Sequence, residues 1–284
     1  MTLTSVDSVS SPVHVDCYGV SDRGKVRERN EDHFVIAHLN KSVIIGQTSM
    51  DHAAMAGRFG AESAHLLAVA DGVGGRADGD VASGRAVTAI LEFFARAAGT
   101  FHGIDPHGEH DLLQSLENAV RDVHESLLKE FGGERAEVPA TTVTLLLLVW
   151  PRAYLVHVGD SRAYVRRRGR LQRLTRDQTL GQIMYAAGAW TEEQAARPGA
   201  PSTLASAVGG TELFPVVGLV DLEVGDSVLL CTDGLTRHVP DERIAELLAV
   251  SQNAQGTCQQ LVDEALAAGG RDNVTVVVLK SEAA

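Results

Sequence analysis

The chain changes its hydrophobic period several times. Val13 to Val20 alternate weakly, and Asp32 is followed by His33-Phe34-Val35-Ile36-Ala37, which gives two strand candidates near the N-terminus. Leu66-Leu67-Ala68-Val69-Ala70 is a short apolar run bounded by Asp71-Gly72, and it predicts a buried strand that runs into a turn. From 80 to 98 the apolar residues Val81, Ala82, Ala86, Ile90, Phe93 and Phe94 recur at helical spacing. Asp111 to Phe131 reads as a second amphipathic helix, and 99–110 as a Gly/His/Pro loop between the two. The period then drops to that of strands. Thr141–Val149, Ala153–Val158, Ala163–Arg167 and Leu171–Leu174 are four short β runs, the last two joined by a hairpin turn at Arg167-Arg168-Gly169-Arg170. Residues 177–206 break this rhythm with helical, Ala-rich and Pro-containing sequence. Strands return at Val216–Leu219 and Ser227–Cys231, helices at Asp241–Val250 and Thr257–Ala268, and Val274–Leu279 closes the chain. Residues 1–12 read as a loose tail, and 40–64 give no clear element.

This order is not the strict strand–helix alternation of a doubly wound parallel sheet. It suits antiparallel sheets with helices packed outside them. No linker demands a domain boundary, so 13–281 is expected to be a single domain.

Composition narrows the function. The 284 residues include 25 basic and 37 acidic side chains, a formal net charge of −12. That balance argues against duplex nucleic acid as a partner, which needs a basic face to displace counterions. No apolar run approaches the roughly 20 residues of a membrane helix, and the N-terminus lacks a signal peptide's basic start and apolar stretch. Cys17, Cys231 and Cys258 form neither a disulfide framework nor a zinc spacing. The expectation is a soluble, free-standing cytoplasmic protein.

The candidate chemistry lies where the carboxylates fall. Asp71 follows LLAVA, Asp233 follows VLLCT, Asp160 follows YLVHVG, Asp272 precedes NVTVVVL, and Glu31 and Asp32 precede HFVIA. A strand end places a side chain accurately, and a glycine after it, as at Gly72 and Gly234, lets the backbone turn sharply. Each aspartate alone is equally a turn cap, as Asp-Gly commonly is. Together, converging carboxylates about 4 Å apart would repel by roughly 4 kcal/mol per pair at an effective dielectric of 20. Protons or cations must then sit among them. With no Cys or His in the set, the donors are hard oxygens, which favours Mg²⁺ or Mn²⁺. Arg27, five residues before Asp32, could grip a phosphate with two parallel hydrogen bonds, but Lys25 and Arg29 beside it are equally basic.

Arg27-Glu28-Arg29-Asn30-Glu31-Asp32, Asp71-Gly72-Val73-Gly74-Gly75, Gly159-Asp160-Ser161-Arg162-Ala163-Tyr164, Thr232-Asp233-Gly234-Leu235 and Asp272-Asn273-Val274-Thr275 resemble, in order, the motifs of the protein phosphatase 2C (PPM) family in its bacterial form. The match runs from about residue 15 to 280. The resemblance implies an α+β fold with a central β-sandwich of two antiparallel sheets flanked by helices on both sides, four layers in all. It implies a metal-dependent serine/threonine phosphatase with two or three Mn²⁺ or Mg²⁺ ions. Hydrolysis would proceed by direct attack of a metal-bridging water, without a covalent phosphoenzyme. By motif position Asp71 bridges two metals, the Gly72 carbonyl serves one of them, and Asp233 and Asp272 hold the other. Glu31 and Asp32 act through water, and Asp160 serves a third, weaker metal. Arg27 grips phosphate, Asn273 holds the turn that aims Asp272, and about 176–206 form a flap. Phosphorylated proteins, including a bacterial Ser/Thr kinase or its targets, are the implied partners of a monomeric enzyme.

The sequence departs from the family pattern in two places. Val73 stands where some members carry a histidine, which leaves a metal-bound water as the expected acid for the leaving group. The stretch 40–65 is longer than in compact bacterial members. Two other functions share the motifs: a sensing module without turnover, and a hydrolase of small phosphorylated metabolites. Gly72 to Ala77 also fits a dinucleotide fingerprint, but no parallel strand follows the next helix. His102, His107 and His110 read as a polar loop, His157 as a sheet residue, and Arg166-Arg167-Arg168 with Arg170 as a solvated hairpin.

Overall fold

The computed structural model describes residues 13–40, 63–73, 79–97, 106–131, 138–195, 203–250 and 253–283. Two antiparallel sheets stack face to face. One runs in the order β1 (Val13–Asp22), β11 (Val274–Ala283), β10 (Ser227–Cys231), β7 (Arg162–Arg167), β8 (Arg170–Arg173). The other runs β2 (Asp32–Asn40), β3 (Ser63–Val73), β5 (Val143–Val149), β6 (Arg152–Val158), β9 (Val216–Asp221), with the short β4 (Ala140–Thr141) pairing the end of β3.

Side chains alternate across each strand, so a strand covered on both faces reads as an unbroken apolar run. Leu66 and Ala68 of β3 face α1 (Gly79–Ala97) and α2 (Pro106–Phe131), against Ala86, Ile90, Phe94, Leu116 and Leu127. Leu67 and Val69 point the other way, into the layer between the sheets with Leu146, Leu148, Val228, Leu230 and Val277. The first sheet's outer face packs on α6 (Asp241–Val250) and α7 (Ala254–Ala267) through Leu229, Val276, Val278, Ile244, Leu248 and Leu261. Each such leucine stabilises the fold by about 1.5–3 kcal/mol. Three apolar layers thus separate four layers of structure, the α-β-β-α order that the motifs imply.

Four sequence expectations are corrected. Asp71-Gly72 do not turn: β3 continues to Val73, with Gly72 opposite Thr141 and Val73 opposite Ala140. The second long helix begins at Pro106 rather than Asp111. Proline suits a first helical position because its missing N–H has no helical partner there. The helix α7 begins at Ala254, three residues before the expected Thr257, because Asn253 Oδ1 caps it by accepting from the Gly256 N–H (2.7 Å). The Arg167–Arg170 turn forms with both central residues left-handed, Arg168 at φ 49° and Gly169 at φ 83°. Its arginines are not simply solvated: Arg167 Nε and Nη2 donate to Asp226 (3.0 and 2.6 Å), and Arg168 pairs with Glu223 (2.6 Å).

The three cysteines are free, and burial pushes each thiol up to about 12. The tail 1–12, residues 41–62 of the long insert, Gly74, Gly75, His102 and 196–202 of the flap lie outside the described residues. Of the segment expected to form a flap, α3 (Leu180–Ala186) and α4 (Glu192–Ala195) are described.

Candidate active site

The strands of both sheets end at one edge of the sandwich and deliver their carboxylates there. Asp32 opens β2 and lies directly opposite Asp71 on β3, so the two side chains share a face. The backbone of Asp71 is fastened on both sides. Its N–H donates to Thr142 Oγ1 (3.0 Å), and its carbonyl accepts from the Thr142 N–H and Thr141 Oγ1 (both 2.9 Å). Asp233 begins α5 (Asp233–Thr236) two residues beyond the end of β10, and Asp272 lies two residues before the start of β11, the partner strand of β10. Asp160 follows β6. Asp32 is 4% exposed; its Oδ2 accepts from Thr232 Oγ1 (2.8 Å), and its Oδ1 has no hydrogen-bond partner.

The electrostatics tie these groups into one cluster. Burial, then repulsion from Asp32, Asp233, Asp160 and Asp272, pushes Asp71 well above the ordinary carboxylate range. Burial pushes Asp32 up to about 7, against the hydrogen bond from Thr232 and with help from Asp233 and Asp272. Asp160 rises to about 7 through burial and the charges of Asp233 and Asp177. Asp233 rises to about 6, with burial opposed by Arg237. Glu31 stands at the border. Burial raises it, Arg27 lowers it, and Asp80 and Asp272 raise it again.

Gly72 is where three segments meet. Its N–H donates to the Glu31 carbonyl (3.1 Å), and a Cβ there would lie 2.3 Å from the Gly79 carbonyl oxygen and 2.7 Å from that of Glu31. Only glycine lets β3, the start of β2 and the start of α1 approach so closely.

Two arginines face the carboxylates. Arg27 Nη2 donates to Asp272 Oδ2 (2.7 Å), and Arg237 bonds both Asp272 Oδ2 (3.3 Å) and Asp233 Oδ2. Asn273 aligns the loop before β2 rather than only its own turn. Its Oδ1 accepts from the Glu31 N–H (2.8 Å), and its Nδ2 donates to the carbonyls of Arg23 (2.9 Å) and Arg29 (2.8 Å). Asn273→Ala removes all three bonds at a buried position and is expected to cost about 2–4 kcal/mol. Denaturant midpoints measure it, and an unchanged midpoint would show that the loop is held by other contacts.

The protein phosphatase 2C family model matches residues 46–268. The chain belongs to the protein phosphatase 2C family. Among its relatives, the serine/threonine protein phosphatase PstP of Mycobacterium tuberculosis is 36% identical over 259 residues, 91% of this chain and 43% of PstP. The chain therefore spans less than half the length of that relative. The serine/threonine phosphatase stp of Listeria monocytogenes is 25% identical over 92% of this chain and 94% of its own. A crystal structure of the PstP catalytic domain in complex with two manganese ions superposes with a TM-score of 0.73 at 33% identity, covering 95% of this chain and all of that one.

The sheet edge thus brings together Asp32, Asp71, Asp160, Asp233 and Asp272, with Glu31 and Gly72 at the border of the cluster and Arg27 on Asp272. Among the described residues no three His, Cys, Asp or Glu side chains close around a single point. Asp272 is turned onto Arg27 and Arg237, Asp233 onto Arg237, and Asp32 onto Thr232. The donor set still fits hard divalent cations. A buried carboxylate oxygen without a partner, Asp32 Oδ1, lies among carboxylates whose mutual repulsion only protons or cations relieve.

Three residues of the site escaped the sequence reading. Thr232 carries one oxygen of Asp32, Asp80 presents its charge to Glu31 from the start of α1, and Arg237 neutralises Asp233 and Asp272. Arg237 had a signal: it lies four residues after Asp233 across a helical turn, the spacing of an ion pair. Arg162 of the Gly-Asp-Ser-Arg motif fastens Asp177 by two hydrogen bonds (3.0 and 2.7 Å), which anchors the start of the flap segment on β7. His157 is buried between Thr144 Oγ1 (2.9 Å) and the Arg176 carbonyl (3.1 Å), and burial lowers it to about 4.

Proposed function

We propose that the chain is a metal-dependent phosphatase of phosphoserine and phosphothreonine in proteins, with residues 13–281 as its catalytic unit. The observation that carries this is the gathering of Asp32, Asp71, Asp160, Asp233 and Asp272 with Arg27, a cation able to pair with phosphate, on their rim. Family membership and the manganese complex of PstP support it.

Asp71, with the Gly72 carbonyl, and Asp233 with Asp272 are the groups that would hold two Mn²⁺ or Mg²⁺ ions. Glu31 and Asp32 would act through water, and Asp160 would serve a third ion. Bound ions supply a water of lowered pKa and neutralise phosphate charge. The protein's own residues do the rest. Arg27 offers a planar fork to the phosphate oxygens, and its position on Asp272 aims that fork at the carboxylate edge. Thr232 and Thr142, anchored in the sheets, fix Asp32 and the backbone of Asp71, so the donors need not be reorganised for each turnover. Val73 is 40% exposed and apolar, so no proton for the leaving group comes from that position.

The substrates on this reading are phosphorylated proteins, a Ser/Thr kinase or its targets among them, met by a cytoplasmic monomer. No helix of the described residues is long and apolar enough to cross a membrane. The test is phosphate release from a phosphothreonine peptide with Mn²⁺, with Mg²⁺ and with EDTA. Release is expected to need metal and to stop in EDTA. Release that persists in EDTA, or none under any metal, would overturn the proposal.

A further inference from the structure

Beside the acidic cluster lies a cavity of about 440 Å³ lined by Arg237, His238, Ala268, Arg271 and Asp272. Its charge is the reverse of the cluster's. Both ring nitrogens of His238 are engaged by backbone: Nε2 accepts from the Arg271 N–H (3.3 Å), and Nδ1 donates to the Gly234 carbonyl (2.9 Å). The one acidic wall, Asp272, already has its Oδ2 bonded to Arg27 and Arg237. The guanidinium of Arg271 is exposed and has no ion-pair partner among the described residues. Lys25, also exposed and without an ion pair among them, packs against Gly270, the residue before Arg271. Its N–H donates to the Gly270 carbonyl (2.7 Å), and its Cγ lies 3.4 Å from where a Cβ on Gly270 would be. Arg271 thus offers free positive charge in the wall of a cavity that shares Asp272 with the proposed phosphate grip of Arg27, and Lys25 stands next to it in the fold through Gly270. On a chain of net charge −12 this is a local inversion, and a concave one.

We propose that this cavity is a substrate subsite for a second anionic group, a carboxylate or second phosphoryl group on a residue close in sequence to the one dephosphorylated. The proposal rests on the phosphatase reading above and names the substrate class that reading leaves open. The planar fork of Arg271 matches either anion by two parallel hydrogen bonds. Lys25 adds a point charge that is less selective. Peptides with neutral flanks forgo both contacts and still reach the catalytic groups.

The experiment compares three kinds of phosphothreonine peptide: one with neutral flanks, a series with an Asp or Glu placed at each flanking position in turn, and one with a second phosphothreonine. The acidic peptides are expected to show a kcat/KM roughly tenfold above the neutral one, the size of one charge-assisted contact. Arg271→Ala is expected to remove that preference while turnover of the neutral peptide stays unchanged, and Lys25→Ala to reduce it. Preference for the second phosphothreonine over the carboxylate assigns the cavity to doubly phosphorylated substrates, and the reverse assigns it to acidic flanks. Equal kcat/KM values in the wild-type protein, or a preference that survives Arg271→Ala and Lys25→Ala together, would overturn the subsite. Fluorescence anisotropy with peptides carrying a non-hydrolysable phosphonate separates this from the phosphatase reading. Tighter binding of acidic peptides that Arg271→Ala abolishes supports the cavity even if no peptide is turned over, and equal affinities refute it even if every peptide is.

Discussion

Asp71→Asn is expected to lower metal-dependent phosphate release by roughly 10³-fold or more while the fold persists. The fold persists because the hydrogen bonds that fasten residue 71 are made by its N–H and carbonyl, which the substitution leaves in place. The same substitution carries a stability signature. Burial and four neighbouring aspartates raise Asp71, and burial pushes Asp32 and Asp160 up to about 7 and Asp233 up to about 6. A carboxyl raised on folding binds its proton more tightly in the native chain than in the unfolded one. The native state therefore holds more protons between about pH 4 and 7, and stability falls as pH rises through that window. In EDTA at pH 7, Asp71→Asn should accordingly melt above the wild-type protein, and the gap should close as the pH falls toward about 4, where the unfolded carboxyl titrates. With Mn²⁺ the wild-type protein alone should gain stability from the ion. Wild-type turnover in the mutant would remove Asp71 from the catalytic groups. A mutant that melts lower in EDTA throughout the window would show that its charge is not a source of repulsion.

Gly234→Ala is expected to be the most damaging small change to the fold near the site. A Cβ at 234 would lie 1.8 Å from the Asn273 carbonyl oxygen and 3.4 Å from the Cα of Val274. The obstacle is backbone at the entry to β11, and no rotamer can relieve it. Overpacking of this kind costs about 3 kcal/mol or more, which for a chain of this size lowers Tm by roughly 6–12 °C. Activity should fall with it, since Asp233 and Asp272 flank the two residues forced apart. Thermal melts in EDTA and in Mn²⁺ read the first effect, and phosphate release reads the second. A Tm within a degree or so of the wild type would mean that α5 and β11 do not meet as described.

Much of the architecture was legible because both sheets are covered on both faces. Leu66–Ala70, Thr141–Val149 and Val274–Leu279 read as strands because apolar residues fill both sides of each, and α6 was legible to the residue. The errors came where a partner distant in sequence decides. Asp71-Gly72 reads locally as a turn, yet it stays extended because Ala140-Thr141, about 70 residues on, pairs with it. Asp233-Gly234 has the same local layout and opens a helix instead. The start of α7 three residues earlier than its periodicity predicts has a local cause, the cap at Asn253.

The sequence alone determined the strand and helix order, the motif residues and the hard-oxygen character of their side chains, because those follow from residue type and from periods within one segment. Tertiary structure decided what these residues face: Thr232 on Asp32, Asn273 on the loop from Arg23 to Glu31, and Arg237 on two carboxylates beside a cationic cavity. Charge and hydrogen bonding act through space over a few ångströms, and only the packing of the two sheets brings residues so far apart in the chain within that range.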